Sequence, residues 1–191
     1  MRLPREVEQK MKWHEIEDRK YSDLYADGYP IGDPMGLVKK FNYDPDKVVC
    51  DLGCGRASSS NFFKNYVGID VSTHIINENK LNRTGEFHRA SLHDLSVIYD
   101  KEFDLSICAD VMEHIPPEEV SGVISEISKL KSKKFAFSIS TRPSVFLDKD
   151  GNNLHLTVWS NSKWIEELSN CFKVIQRIDK PNLLSVELEA K

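Results

Sequence analysis

The feature that most constrains the fold is the segment VVCDLGCGRA at residues 48–57, in which an apolar run ends in an acid and a glycine-rich turn. Gly53 and Gly55 carry no Cβ and adopt positive φ readily, so the backbone can approach a ligand closely. In open α/β sheets such a turn follows the carboxyl end of a strand, where nucleotides bind. We therefore expect an adenosine-bearing ligand against this turn, with Asp51 facing a ligand ammonium.

Apolar and amphipathic segments alternate after residue 47, which predicts a mainly parallel sheet with crossover helices. The expected strands span residues 48–52, 66–70, 86–89, 103–109, 134–140, 172–178 and 183–189. The expected helices span residues 57–65, 72–80, 117–131 and 162–170. The link around Pro181 is too short for a helix, so the last two strands should be antiparallel.

Residues 1–46 differ in composition from the rest and predict a helical cover segment packed on a single domain of residues 47–191. A chain of 191 residues with 40% hydrophobic residues can bury one full core. Its net charge of -4 argues against electrostatic binding of a long nucleic acid. The four cysteines form no CxxC pair, and no apolar run approaches about 18 residues. We expect a cytoplasmic protein with no membrane span.

A second acid, Asp70, ends an apolar strand about twenty residues after Asp51. At this position of nucleotide-binding βαβ units a carboxylate accepts hydrogen bonds from the ribose hydroxyls. Ser72 already suits the N-cap of the next helix, so Asp70 is free for a ligand. Ser58 stands where a nicotinamide-binding turn needs its third glycine, which disfavours a dinucleotide.

These motifs, in this order and at this spacing, resemble those of the class I S-adenosylmethionine-dependent methyltransferases. The resemblance is close over residues 48–130, through DLGCG at 51–55, Asp70, ASLHDL at 90–95 and FDLSICADVMEHI at 103–115. It implies a Rossmann-like, doubly wound α/β fold whose seven-stranded, mainly parallel sheet has an antiparallel last strand. It also implies S-adenosylmethionine as the cofactor and S-adenosylhomocysteine as the product.

The resemblance implies a cofactor role for residues of four loops. The glycine turn would lie under the methionine and ribose, and the backbone at 108–109 would close the methionine end. Many members carry an acid where this chain has Ser91, so the adenine contact stays open among Ser91, Asp94 and the backbone near Leu92. The implied set is Asp51, Gly53, Cys54, Gly55, Asp70, Val71, Ser91, Leu92, Cys108 and Ala109.

Two histidines are candidates for catalysis. The methyl group is already activated in the cofactor, so the enzyme must chiefly align the acceptor and exclude water. His114 follows the fourth strand of the family pattern, and His155 follows the fifth by about fifteen residues. Either can take a proton near neutrality, although a structural role for each is equally open. The expected acceptor-binding residues are Tyr21, Tyr25, Arg142 and Trp159.

An alternative to catalytic histidines is a set of metal ligands at the same place. Asp110, Glu113, His114 and His155 supply two carboxylates and two imidazoles. The pattern is similar to that of the small-RNA 2′-O-methyltransferases, which hold a metal with Glu-x-x-Glu-His and a later His. Here the first acid is Asp110, and a Glu-His pair also occurs in members without metal. We therefore expect no metal and keep this set as the alternative.

The sequence predicts an enzyme that moves a methyl group from S-adenosylmethionine to an oxygen or nitrogen of a small-molecule acceptor. Alternatives are a metal-assisted RNA ribose 2′-O-methyltransferase and a non-catalytic module that only binds the cofactor. An aminopropyltransferase is disfavoured because it would need acids beyond Asp110 and Glu113 to hold a polyamine. The acceptor and the oligomeric state do not follow from fold and cofactor.

Overall fold

The computed structural model describes residues 5–29 and 32–191, with side chains described from Glu15 onward. The first 46 residues, predicted to form a cover segment, therefore include two stretches, residues 1–4 and 30–31, that lie outside the described part. None of the described helices combines the length and apolar composition needed to cross a bilayer.

The core of the fold is a seven-stranded sheet. Its strands are β1 (Val48–Leu52), β2 (Asn65–Asp70), β3 (Glu86–Arg89), β4 (Leu105–Ala109), β5 (Phe135–Ser140), β6 (Phe172–Lys180) and β7 (Leu183–Ala190). Their order across the sheet is β3-β2-β1-β4-β5-β7-β6. Strand β7 is antiparallel to both neighbours, and all other neighbours are parallel. This confirms the predicted doubly wound α/β sheet with an antiparallel last strand.

Within the described residues, five α-helices accompany the sheet. They are α1 (Arg5–Ala26), α2 (Pro34–Phe41), α3 (Thr73–Asn82), α4 (Val120–Ser128) and α5 (Asn161–Leu168). Short 3-10 turns span Ser96–Ile98 and Met112–His114, and Glu102–Phe103 pairs with Lys131–Ser132 in a separate two-stranded ribbon. Serine hydroxyls cap two helices, since Ser72 Oγ accepts from Ile75 N and Ser160 Oγ accepts from Lys163 N, both at 3.2 Å.

The predicted helix at residues 57–65 is wrong, because turns connect β1 to β2 instead. Ala57 has a φ of 50°, in the left-handed region that a right-handed helix excludes. Ser59, within a run of three serines, turns its hydroxyl to Asp51 rather than to its own turn. Serine competes in this way with helical backbone bonds. Through Ser59, this turn segment therefore fixes the position of the Asp51 carboxylate.

Two predicted elements are shorter than expected. The strand predicted at residues 103–109 is interrupted at Asp104, so that Phe103 belongs to the small ribbon and β4 begins at Leu105. The helix predicted at residues 117–131 is confined to α4. These differences leave the carboxyl ends of the strands, where ligands bind in such folds, in their expected places.

Hydrophobic clusters cover both faces of the sheet. One contains Cys50 and Leu52 of β1 together with residues of α4 and α5 such as Ile124 and Trp164. The other contains Val49 of β1 with residues of α2 and α3. Alternate residues of a strand point to opposite faces, as β1 shows here. The central strands β1, β4 and β5 are thus buried on both faces, whereas the edge strand β6 is largely exposed.

Candidate active site

A cavity of about 540 Å³ lies beyond the carboxyl ends of the central strands. This volume is within the range of about 300–1,000 Å³ typical of small-molecule sites. Nine of the ten residues implied as cofactor-binding line it, namely Asp51, Gly53, Cys54, Gly55, Asp70, Val71, Ser91, Leu92 and Ala109. The tenth, Cys108, is buried in β4 beside Ala109 and belongs to the hydrophobic core.

The glycine turn presents bare backbone to this cavity. Gly53 and Gly55 have φ values of 73° and 47°, and the amides of Gly53 and Cys54 both donate to Ile69 O at 2.8 Å. A Cβ at Gly53 would lie 2.5 Å from Val111 Cγ2. Glycine is therefore required here by conformation and by space.

Asp51 is a buried acid held from one side. Its Oδ2 accepts hydrogen bonds from Ser59 Oγ and Tyr66 Oη, both at 2.7 Å. Burial raises the pKa of Asp51, and the two hydrogen bonds oppose that rise. A cationic ligand group beside this carboxylate would offset the cost of burying its charge.

Asp70 ties the end of β2 to the glycine turn. Its Oδ2 accepts from Gly55 N and its Oδ1 from Ser72 N, each at 2.9 Å. Burial is the main cause that raises the pKa of Asp70 to about 6. A carboxylate has about four acceptor positions, so both oxygens keep capacity for ligand hydroxyls.

Ser91 belongs to a polar relay that the sequence did not reveal. Its Oγ lies 3.0 Å from His93 Nδ1, and His93 Nε2 lies 2.6 Å from Glu119 Oε2. Ser91 lines the main cavity, whereas Asp94 lines a smaller neighbouring one. Of the two side chains that the sequence left open for adenine, Ser91 is the better placed.

Glu113 lies at the far end of the cavity, in the turn after β4. It is fully buried, and its Oε1 accepts from Ser140 N at 3.0 Å. Among the described residues, Glu113 Oε2 has no hydrogen-bond partner. Burial, followed by the charge of Asp110, raises the pKa of Glu113 to about 8. Asp110 itself has a φ of 56° and accepts from Asp33 N at 3.1 Å.

The two candidate histidines meet in the same cavity. Their rings lie edge to face with centroids 5.0 Å apart. His114 Nδ1 is 2.9 Å from Leu154 O, and His155 Nδ1 is 2.6 Å from Arg142 O. A carbonyl oxygen only accepts, so each Nδ1 carries the proton and each Nε2 keeps a lone pair.

Burial also fixes the charge of these rings. It lowers the pKa of His114 to about 3 and lowers the pKa of His155. Both imidazoles are therefore neutral at neutral pH. The nearest ligand atoms of Glu113, His114 and His155 all lie within 4.8 Å of one another. Asp110, the other member of the metal set considered from sequence, turns its Oδ2 to Asp33 and lies outside this cluster.

The residues expected to bind the acceptor are only partly brought together. Tyr21, Tyr25 and Arg142 line the cavity, with the Tyr21 ring centroid 5.9 Å from that of His114. Burial raises the pKa of Tyr21 and of Tyr25 well above the usual value, so both are neutral phenols. Trp159 packs against Trp164 at 4.9 Å and is not among the described lining residues.

Sequence reasoning missed several lining residues. They are Glu17, Gly32, Ser140 and the hairpin residues Pro181, Asn182 and Leu183. The only signals were turn patterns around Gly32 and Pro181. Gly32 crosses the end of β4, where a Cβ would lie 2.7 Å from Ala109 O. Such contacts join distant parts of the chain and leave no local pattern.

The sheet order and the cavity at its carboxyl edge are typical of a nucleotide-binding α/β domain. A family model described as "Methyltransferase domain" matches residues 50–134. The magnesium-protoporphyrin O-methyltransferase of Synechocystis is 29% identical over 107 residues, covering 51% of this chain and 46% of that protein. An uncharacterized protein of Methanocaldococcus jannaschii is 28% identical over 128 residues, covering 64% and 55%.

Solved structures show the same fold. The Synechocystis magnesium protoporphyrin IX methyltransferase with bound S-adenosylhomocysteine gives a TM-score of 0.65 at 19% identity, covering 95% of this chain and 98% of that chain. The 1,6-didemethyltoxoflavin-N1-methyltransferase of Burkholderia thailandensis gives 0.62 at 15% identity, covering 100% and 91%. At these identities the likeness concerns the fold alone.

Residues 50–134 thus match the methyltransferase-domain family, and the fold resembles that of S-adenosylmethionine-dependent methyltransferases, as the motifs implied. The cofactor of that family is S-adenosylmethionine. The side-chain-free turn at Gly53 and the buried acids Asp51 and Asp70 suit its ribose and ammonium groups. The chain spans about half the length of the curated relatives it matches.

Proposed function

We propose that the protein transfers the methyl group of S-adenosylmethionine to an oxygen or nitrogen atom of a small-molecule acceptor. The observation that carries this proposal is that one cavity runs from the glycine turn to two neutral histidines. Matched relatives include a ubiquinone biosynthesis O-methyltransferase and a magnesium-protoporphyrin O-methyltransferase. A structural neighbour is an N-methyltransferase crystallised with its small-molecule ligand.

The cofactor would be held by the loops at the ends of β1, β2, β3 and β4. Asp70 would accept from the ribose hydroxyls, and Asp51 would face the ammonium group. Ser91 would meet the adenine edge, with His93 and Glu119 fixing its hydroxyl. The cofactor supplies a methyl group on a positively charged sulfur, which needs no further activation. The other residues of the implied set that line the cavity, Gly53, Cys54, Gly55, Val71, Leu92 and Ala109, would contribute backbone and apolar surface.

The acceptor would lie between the methyl group and the two histidines. The Nε2 atoms of His114 and His155 can accept a hydrogen bond from an acceptor O–H or N–H group. His155 is less buried than His114, so it can hold the acceptor's proton at a lower cost of desolvation. Tyr21 and Tyr25 would close the site against water, and Arg142 would contact an anionic acceptor group.

We propose that the first 46 residues act as a cover over the cofactor. The carboxylate of Asp18 in α1 accepts from both Thr73 N and Thr73 Oγ1 at 2.7 Å, at the start of α3. Arg56 donates to Tyr25 O at 2.7 Å and so ties the glycine turn to the end of α1. Removing water from a transfer site strengthens electrostatic contacts and protects the reactive group.

Calorimetry with S-adenosylhomocysteine tests the cofactor part of this proposal. A panel of phenols, carboxylates, amines and short RNAs, scored by S-adenosylhomocysteine release, then tests the transfer. We expect binding by the wild type, turnover on a small molecule, and reduced turnover for His155→Gln. His74→Gln, a change at an exposed histidine on α3, is the matched control. Tight binding without turnover on any acceptor would favour the non-catalytic module.

A further inference from the structure

We propose that Glu113, His114 and His155 bind a divalent first-row transition-metal ion, which coordinates an oxygen of the acceptor. The inference starts from the cluster at the acceptor end of the cavity, whose ligand atoms lie within 4.8 Å of one another. Bonds of about 2.0–2.2 Å to nitrogen and oxygen place tetrahedral ligands about 3.3–3.6 Å apart. The ligand atoms would have to approach one another by at most about 1.2–1.5 Å to reach that spacing.

The two imidazoles are already in the form that metals require. Each Nδ1–H donates to a backbone carbonyl, Leu154 O for His114 and Arg142 O for His155. In metal-binding histidines the other ring N–H almost always donates a hydrogen bond in this way, because that bond fixes the tautomer and the ring orientation. The two adjacent rings therefore present two unprotonated Nε2 atoms, each with a lone pair, to the same cavity.

The buried carboxylate gives the second, independent observation. Glu113 is fully buried and its Oε1 is fixed by Ser140 N. Its Oε2 is buried without a partner among the described residues, although buried carboxylate oxygens are normally satisfied. Glu113 also lines the cavity that both histidines reach. A cation between the three groups would give Oε2 the partner it lacks.

The donor set selects the class of ion. Two imidazole nitrogens and one carboxylate suit zinc, cobalt, manganese or iron, whereas magnesium favours oxygen ligands. Three protein ligands leave at least one coordination position for water or substrate, as in catalytic rather than structural sites. That position would face the cavity, because the rest of the cluster is enclosed by protein. The preferred acceptor would then carry a hydroxyl or carboxylate oxygen.

This inference rests on the proposed methyl transfer for its chemical consequence. With the ion bound, both Nε2 atoms are ligands, so His155 no longer accepts the acceptor's proton. Coordination lowers the pKa of a bound hydroxyl, so its proton passes to water before transfer. The acceptor oxygen then forms a bond to the methyl carbon, and the S–CH₃ bond breaks with its electron pair staying on sulfur. For a hydroxyl acceptor the net products are the methyl ether, S-adenosylhomocysteine and one proton. An ionised carboxylate gives the methyl ester and S-adenosylhomocysteine, and no proton is released. The ion changes no oxidation state.

Cobalt titration tests the site without any assay of activity. Protein freed of metal with a chelator is titrated with Co²⁺, and the visible absorption bands and the heat of binding are followed. We expect one ion per chain and mixed nitrogen and oxygen ligation. His155→Gln and Glu113→Gln should weaken Co²⁺ binding by at least about 100-fold. That factor is the upper end of the loss in metal affinity caused by mutating residues that only hydrogen-bond to a ligand. His74→Gln should bind as the wild type does.

S-adenosylhomocysteine binding, measured on the same samples, separates the two proposals. Unchanged binding by His155→Gln shows that the variant is folded, so its loss of Co²⁺ can be assigned to the site. Co²⁺ binding without S-adenosylhomocysteine binding would uphold the metal site and refute the proposed function. The metal site is refuted if the wild type takes up no stoichiometric Co²⁺ or Zn²⁺. It is also refuted if His155→Gln binds Co²⁺ as tightly as the control.

Discussion

Replacing Asp70 by asparagine separates binding from stability at the cofactor site. The carboxylate accepts from Gly55 N and Ser72 N, and asparagine has only one side-chain oxygen for these donors. In the cofactor complex it would also lose a charged acceptor for the ribose. Hydrogen bonds to charged groups contribute about 1.5–3 kcal/mol, which corresponds to about a 10- to 150-fold weaker affinity. We expect Asp70→Asn to weaken S-adenosylhomocysteine binding within this range.

The free energy of unfolding should respond differently. Folding raises the pKa of Asp70 from 3.8 to about 6. The folded state thus prefers the protonated acid, so the contribution to stability is fully present below pH 3.8 and is lost as pH rises through about 6. The shift of about two units corresponds to about 3 kcal/mol at neutral pH. Asparagine removes the buried charge, so the ligand-free variant should melt no lower than the wild type at pH 7.5.

The pH dependence of binding supplies the deciding assay. If the ionised form of Asp70 holds the ribose, wild-type affinity for S-adenosylhomocysteine should fall below about pH 6, by up to about tenfold per unit. Calorimetry at pH 5, 6, 7 and 8 measures this slope, which should be shallower in Asp70→Asn. Asp179→Asn, at an exposed acid on β6, is the matched control. A variant that binds within about threefold of the wild type at pH 7.5 would refute the role of Asp70.

Three further substitutions test other parts of the cavity. Gly53→Ala forces a positive φ at a cost of about 1–2 kcal/mol and places a Cβ 2.5 Å from Val111 Cγ2, so it should lower the melting temperature and weaken cofactor binding. Tyr66→Phe removes a 2.7 Å bond to Asp51 and should cost about 1.5–3 kcal/mol at pH 7.5, measured by urea unfolding, and less in acid. Phe146 lines the cavity and packs edge to face on Tyr29 with ring centroids 5.5 Å apart, so Phe146→Ala should raise the KM for the acceptor while calorimetry finds unchanged S-adenosylhomocysteine affinity.

The parts of the fold that the sequence predicted are those with a local cause. Apolar strands ending in Asp51 and Asp70 set the switch from strand to loop, and the short link at Pro181 required an antiparallel pair. The missing helix after β1 depended on the left-handed Ala57, a conformation that alanine does not signal. Composition alone therefore favoured a helix where the chain makes turns.

The details of the candidate site depended on contacts across the chain. The tautomer of His114 is set by Leu154 O, which lies forty residues further along the sequence. Its pairing with the ring of His155 needs the segment after β5 to fold back over the sheet. The sequence could supply the donor types at this end of the cavity. Only the tertiary arrangement separates Glu113, which joins the histidines, from Asp110, which binds Asp33.

The turns after β1 also explain why the N-terminal segment serves both the core and the site. Without a helix there, one face of the sheet is covered by α2, α3 and the turn segment around Phe63. Leu37 of α2 is completely buried in that cluster, and Tyr25 of α1 joins it while also lining the cavity. Packing against the core thus fixes the position of a cavity wall. Changes that loosen α1 should therefore act on cofactor binding through Tyr25, both as a cavity wall and through its hydrogen bond from Arg56 beside the glycine turn.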